Sequence, residues 1–207
     1  MSILIVAKVA TPASEGPFRT WMQEEFAAEF GKHLASLTVT LAICDAKGAY
    51  DALVEGDCDS TAVLERLRER LTQHGAVMTC YAVERLVEKT PPTPHADAVK
   101  MVACIQQLPD LPLFEVRRRW DAHVPLALRI HIGAARYVRN WVNELLLTSA
   151  PSPPHYCGIA TMSFRTTEDL QDRQYDRPQN QQVILDDVAR FMARADSFVG
   201  QETTIGW

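Results

Sequence analysis

The sequence is poor in the features that mark common cofactor sites. Its nine glycines form neither GxGxxG nor GxxxxGK, so it offers no phosphate cradle of the dinucleotide or P-loop kind. No HxxxH or HExxH sets two histidines on one helix face, and there is no cysteine–histidine cluster. No GxSxG marks a nucleophile elbow. The five cysteines, Cys44, Cys58, Cys80, Cys104 and Cys157, lack CxxC spacing and are odd in number, which argues against a disulfide framework. Cys44, Cys80 and Cys104 lie in apolar strand-like runs, where a thiol behaves as a small hydrophobe. No apolar run reaches the ~18 residues that cross a bilayer. Met1-Ser2-Ile3-Leu4-Ile5-Val6 lacks the basic start and cleavage site of a signal peptide. Positive charge is short as well: the net charge is −5 and the pI about 5.7. Nucleic acid and anionic membrane reward basic surfaces and are therefore disfavoured as partners. The one basic run, Arg117-Arg118-Arg119, falls inside a helical pattern and reads as a solvated face. The expectation is a cytoplasmic protein without metal or cofactor.

What the 207 residues do contain is patterned apolar sequence, 47% hydrophobic in all. That suffices for one large domain or two of roughly 100 residues. Ile3–Val9 reads as a buried strand, and Pro17 opens a helix striped by Phe18, Trp21, Met22, Phe26 and Phe30. Strands over Leu37–Cys44 and Tyr50–Val54 flank a turn at Asp45-Ala46-Lys47-Gly48. A helix over Ser60–His74 has Ser60 as cap and Gly75 as stop, and Ala76–Val87 is a further strand. Three prolines in Thr90-Pro91-Pro92-Thr93-Pro94-His95 make a stiff linker. The order then repeats: strand Ala98–Gln106, a helix from Pro112 to about Leu128, strands Gly133–Val142 and Tyr156–Phe164, a helix Gln182–Ala195, and a last strand near Phe198–Ile205. Both halves spell β-α-β-β-α-β, the ferredoxin-like split unit. The expectation is therefore α+β: a module over 1–90, a linker over 91–97 and a second module over 98–207. Their antiparallel sheets would pack into an α+β barrel. Two independent domains are the competing arrangement; the short linker and apolar central strands favour packing. An ungapped shift of 95 sets Pro17 on Pro112 and Ala28 on His123.

His123 stands in Trp120-Asp121-Ala122-His123-Val124-Pro125-Leu126, near the end of an amphipathic helix in the second half only. A neutral imidazole near pH 7 takes and returns a proton, which suits enolisation, dehydration or isomerisation. Tyr137, Asn140 and Tyr156 lie on strand-like segments and are candidates to hydrogen-bond an oxyanion, with ordinary packing the default reading of each tyrosine. Tyr137 and Asn140 differ by three positions, so on a regular strand they face opposite ways. Trp120 and Trp141, with Trp207, are candidate walls for a flat or aromatic ligand. Asp187, in Asp186-Asp187, either orients a base or belongs to a charged helix face. His131 and His155 sit at strand entrances and read as surface residues, with His131 kept as a candidate for the substrate site. His33, His74 and His95 carry no expected role.

Leu113-Phe114-Glu115-Val116-Arg117-Arg118-Arg119-Trp120, then His123-Val124-Pro125-Leu126, then Ala135-Arg136-Tyr137-Val138-Arg139-Asn140 resembles the EthD family of dimeric α+β barrel proteins. Tyr156-Cys157-Gly158-Ile159-Ala160 before Phe164, and Leu185-Asp186-Asp187 before Phe191, continue the resemblance, which covers roughly residues 99–207. It implies a ferredoxin-like fold that pairs sheets into a barrel, usually between subunits, and a small-molecule pocket between sheet and helices. Here the two sheets come from one chain, with homodimer formation open. The resemblance also implies catabolic or polyketide chemistry, in a superfamily of cyclases, dehydratases, lactone isomerases, monooxygenases and haem proteins. The leading expectation is a cofactor-independent lyase, dehydratase or isomerase. It would act on a carbonyl-bearing, aromatic or polyketide-like metabolite with His123 as general acid/base. The alternatives are a non-catalytic binding or accessory protein for a hydrophobic metabolite, and a haem-binding barrel with His123 or His131 as axial ligand.

Overall fold

The computed structural model describes residues 1–43, 48–90 and 98–204. The expected turn at 45–47, the linker at 91–97, Cys44 and Trp207 lie outside them. Two compact units emerge, and their bounds differ from those of the two halves of the chain. One holds Met1–Glu84, Val142–Pro154 and the chain from Phe198; the other holds Arg85–Trp141 and His155–Ser197. Three long strands contribute to both units.

The first unit opens with β1 (Ser2–Val9), buried from Ile3 to Ala7. Helix α1 (Pro12–Glu24) follows, with Pro12 at its start and Pro17 inside it. The expected opening at Pro17 is thus corrected: Pro12 takes the first-turn position, where a missing N–H has no partner to lose. The helix breaks at Glu25 into α2 (Phe26–Phe30). Phe18, Trp21, Met22, Phe26 and Phe30 are all buried, the stripe that the spacing predicts. Strands β2 (Ala35–Ala42) and β3 (Ala52–Asp57) precede α3 (Thr61–Gln73). Ser60 caps α3 by accepting from the Val63 N–H at 3.4 Å. Gly75, at φ +72°, then turns the chain into β4 (Ala76–Lys89). Within this unit β1 pairs antiparallel with both β3 and β4, and β2 with β3.

The second unit contains β5 (Val99–Gln107), α4 (Leu113–Ile130), most of β6 (Ala134–Thr148) and β7 (Gly158–Phe164). Short helices α5 (Thr167–Arg173) and α6 (Asn180–Val188) lead into β8 (Met192–Thr204). The expected helix over Gln182–Ala195 is corrected here. The chain leaves the helix after Val188, buries Phe191, and is extended from Met192. A short apolar run such as Val188-Ala189-Arg190-Phe191-Met192 fits either period, so spacing alone did not separate the two. Tyr156 stands just before β7 rather than on it.

β6 and β7 pair in regular register from Arg136↔Ser163 to Trp141↔Gly158, with a bulge only between Ala134 and Arg136. Directly paired residues share a face. Tyr137, Arg139 and Trp141 therefore lie on one face, and Val138 and Asn140 on the other. The strand order β1-β3-β2-β8-β5-β7-β6-β4 closes on itself, so the fold is α+β with an eight-strand barrel, as expected.

Candidate functional site

Helix α4 buries Val116, Trp120, His123, Val124, Ala127 and Ile130, one stripe at helical spacing. His123 is thus held on the face that α4 turns to the protein interior, and only 4% of it is exposed. Pro125 inside the helix removes one backbone donor just beyond it. Helix α6 lies against α4 and supplies Asp187. The His123 Nδ1 stands 2.8 Å from Asp187 Oδ2. A carboxylate there selects the tautomer in which Nδ1–H donates, leaving Nε2 as the basic nitrogen of the neutral ring. Asp187 Oδ1 accepts from Arg190 at 3.1 Å, which fixes the carboxylate from its other side. Burial holds the His123 pKa below the ordinary histidine value, against the opposing pull of Asp187. The ring is therefore neutral near pH 7 and free to take a proton.

A second set adjoins it. Trp120 Nε1 donates to the Tyr137 hydroxyl at 3.1 Å. The Trp120 ring packs edge-on against Trp141 at 4.7 Å and stacks with Phe191 at 5.8 Å. Phe191 in turn meets the His123 ring at 5.9 Å. His123, Phe191, Trp120 and Tyr137 thus form one row of contacts. Burial pushes the Tyr137 phenol up to about 12, so it keeps its proton and remains a donor. Arg139 lies on the same strand face, its guanidinium 5.7 Å from both tryptophan rings, and pairs with Glu88 at 2.5 Å and Asp121 at 2.7 Å.

Of the expected residues, His123, Asp187, Trp120, Tyr137 and Trp141 come together. Asn140 does not: it lies on the opposite sheet face, donating to the Ile159 carbonyl at 3.2 Å and accepting from Arg85 at 3.4 Å. Tyr156 is buried and donates to Asp196 at 2.6 Å. His131 caps the end of α4 and is buried, not a surface residue; its Nδ1 bonds the Gln174 carbonyl at 2.6 Å. His155 is exposed, as expected. Arg139 and Phe191 are the members that sequence reasoning missed. Strand alternation through Tyr137, Arg139 and Trp141 carried the signal for the first.

A shallow cleft, partly open to solvent, is lined by Arg118, Arg119, Ala122, Asp187 and Arg190. It lies at the edge of the His123–Asp187 pair. His123 packs against the Phe191 ring at 5.9 Å and His131 against the Tyr175 ring at 5.3 Å. Among the described residues no group of three or more His, Cys, Asp or Glu is placed to hold a metal ion. No helix among them is long and apolar enough to cross a membrane.

The EthD domain matches residues 108–195, the stretch that contains α4, β6, β7 and α6. No curated protein matches the chain by sequence. Among solved structures, an anthrone oxidase-like protein is similar at 14% identity and a TM-score of 0.67, covering 100% of this chain and 93% of its own. A mutant chlorite dismutase from Candidatus Nitrospira defluvii is similar at 7% identity and a TM-score of 0.59, covering 99% and 91%. A monooxygenase-like protein from Lactobacillus acidophilus NCFM matches at 7% identity and a TM-score of 0.52, covering 99% and 97%. At these identities the likeness is one of fold.

Proposed function

We propose that this chain, whose residues 108–195 match the EthD domain within an α+β barrel fold, is a cofactor-independent enzyme of proton transfer at a C–H conjugated with a carbonyl. The observation that carries the reading is the buried His123–Asp187 pair at 2.8 Å. An aspartate on Nδ1 orients the ring and stabilises the imidazolium that forms when Nε2 takes a proton. In the proposed step a C–H bond conjugated with a carbonyl, directly or through an aromatic ring, breaks. The proton goes to His123 Nε2, and the electron pair moves onto the carbonyl oxygen as an enolate. Tyr137, a protonated phenol whose oxygen already accepts from Trp120, is the donor proposed to steady that oxygen. Return of the proton at another atom completes an isomerisation; loss of a leaving group completes an elimination. A flat aromatic substrate is part of this proposal, because the aromatic rings of Phe191 and Trp120 adjoin the His123 ring in sequence of contact.

Anthrone is a suitable probe, because it carries an acidified C–H opposite a ketone and because one similar fold is described as anthrone oxidase-like. The test is exchange of that hydrogen in deuterated buffer, followed by NMR, with wild type and His123→Ala. Wild type is expected to accelerate exchange, and His123→Ala to lose about a hundredfold or more of that acceleration. Equal acceleration by both proteins overturns the role of His123. Saturable anthrone binding without exchange by either protein favours the non-catalytic binding reading instead.

A further inference from the structure

The cleft beside Asp187 is built from three arginines, and the proton-transfer step just described uses none of them as reacting groups. Arg118 and Arg119 both come from α4, four and three positions before Ala122, the small residue that also lines the cleft. Glu115 gathers them: it accepts from Arg118 Nε at 2.7 Å and Nη2 at 2.6 Å, and from Arg119 Nε at 2.6 Å. Arg119 Nη1 then donates to the Arg190 carbonyl at 2.6 Å, which ties α4 to the turn after α6. Arg190 donates one nitrogen to Asp187. Each guanidinium carries five N–H donors, and these bonds leave donors over on all three. Three positive side chains face two carboxylates, Glu115 and Asp187, so the cleft keeps an excess of one positive charge. Glu115, a backbone carbonyl and Asp187 tether the arginines, Arg119 most closely at 32% exposed, which lowers the conformational entropy lost when they grip a ligand.

We propose that this cleft is the subsite for an acidic group of the substrate, a carboxylate or a phenolate on the aromatic skeleton. The inference rests on the proposed role of His123 and names the class of molecule it serves. Arginine forks match a carboxylate with two parallel bonds, and Ala122 leaves room for the ring that bears it. Asp187 belongs to both parts: one oxygen holds His123 and the other holds Arg190. An acid seated on the arginines therefore lies against the pair that moves the proton. The solvated-face reading of the arginine run holds for Arg118, whose side chain is 72% exposed, and holds less for Arg119, at 32%.

The test uses the full chain and three probes: benzoate, its neutral counterpart benzamide, and sulfate as a bare anion. Binding is measured by calorimetry, and the His123 ring is followed by NMR through a pH titration. Benzoate is expected to bind saturably, about tenfold or more tighter than benzamide and sulfate. It is also expected to move the His123 titration upward, since a nearby anion favours the imidazolium. The double variant Arg118→Gln/Arg190→Gln is expected to lose about tenfold of the benzoate affinity, with circular dichroism checking its fold. The single variant Arg118→Gln serves if the double variant does not fold. Benzamide or sulfate binding as well as benzoate overturns the proposal, and so does undiminished benzoate binding by a folded arginine variant. Benzoate binding is measured on His123→Ala as well, where it is expected to persist. Lost anion binding with intact His123-dependent exchange defeats only this inference. Retained anion binding without His123-dependent exchange defeats only the proposed function.

Discussion

At the scale of single residues, the site depends on what burial does to ionisable groups. His123 is pulled in two directions: burial lowers its pKa and the Asp187 carboxylate raises it, with burial the larger. Asp187→Asn removes the charge that opposes burial, so the His123 pKa falls further and the ring becomes a weaker base. The pH–rate profile of anthrone exchange is expected to shift its midpoint to lower pH, with a plateau lower by about tenfold. An unmoved midpoint in a folded Asp187→Asn protein shows that the pair does not tune the base. Arg139 makes a different point. Its charge is buried between Glu88 and Asp121 on the face that carries Tyr137 and Trp141. Removing one partner of such a group leaves unpaired charge behind. Arg139→Leu is expected to lose about 2–4 kcal/mol in a urea titration, less than a wholly enclosed pair because Asp121 is 61% exposed.

At the scale of elements, the site rests on the close approach of α4 to β7. Gly158 begins β7, and a Cβ built there falls 2.6 Å from Cζ3 of Trp120 and 3.1 Å from the Asn140 carbonyl oxygen. The strand thus has no room for a side chain beneath the indole. Gly158→Ala is expected to destabilise by about 1–3 kcal/mol, as overpacking does. It also displaces Trp120 from Tyr137, which tryptophan fluorescence and the urea midpoint report together. Unchanged fluorescence with unchanged stability rules out the tight packing. Much of this arrangement was legible in the sequence. The stripe through Trp120, His123 and Ala127 has helical spacing, and the three-residue separation of Tyr137 and Asn140 already placed them on opposite faces. The partners of Tyr156 and His131 were not legible, because Asp196 and the Gln174 carbonyl reach them only through tertiary packing. The end of α6 was hidden for another reason: Val188, Phe191 and Met192 fit helix and strand periods equally, and only the burial of Phe191 decides between them.

At the scale of the whole molecule, histidines in both units, half-buried His74 and buried His123 and His131, set the pH response. His74 in the first unit and His123 and His131 in the second all have pKa values lowered by burial from the ordinary 6.5. The sign follows from linkage. Below pH 6.5 the unfolded chain binds protons that these native rings refuse, so stability falls as pH falls through that window. Glu29 has its own window lower down: Arg70 and Arg66 outweigh burial and hold it below 4.5, so its contribution is present above 4.5 and lost as pH falls beneath it. Acid should therefore weaken the fold in two stages. Net charge argues the other way in the first stage, because the molecule approaches its pI of about 5.7 and self-repulsion shrinks. The two effects are separable by urea midpoints measured from about pH 8 down to about pH 3. The midpoint is expected to hold above the histidine window, decline below 6.5 and decline again below 4.5. His123→Leu and His74→Phe should each flatten the upper stage and leave the lower one in place. A midpoint that rises between neutral pH and the pI shows that repulsion outweighs the buried rings and refutes the histidine account.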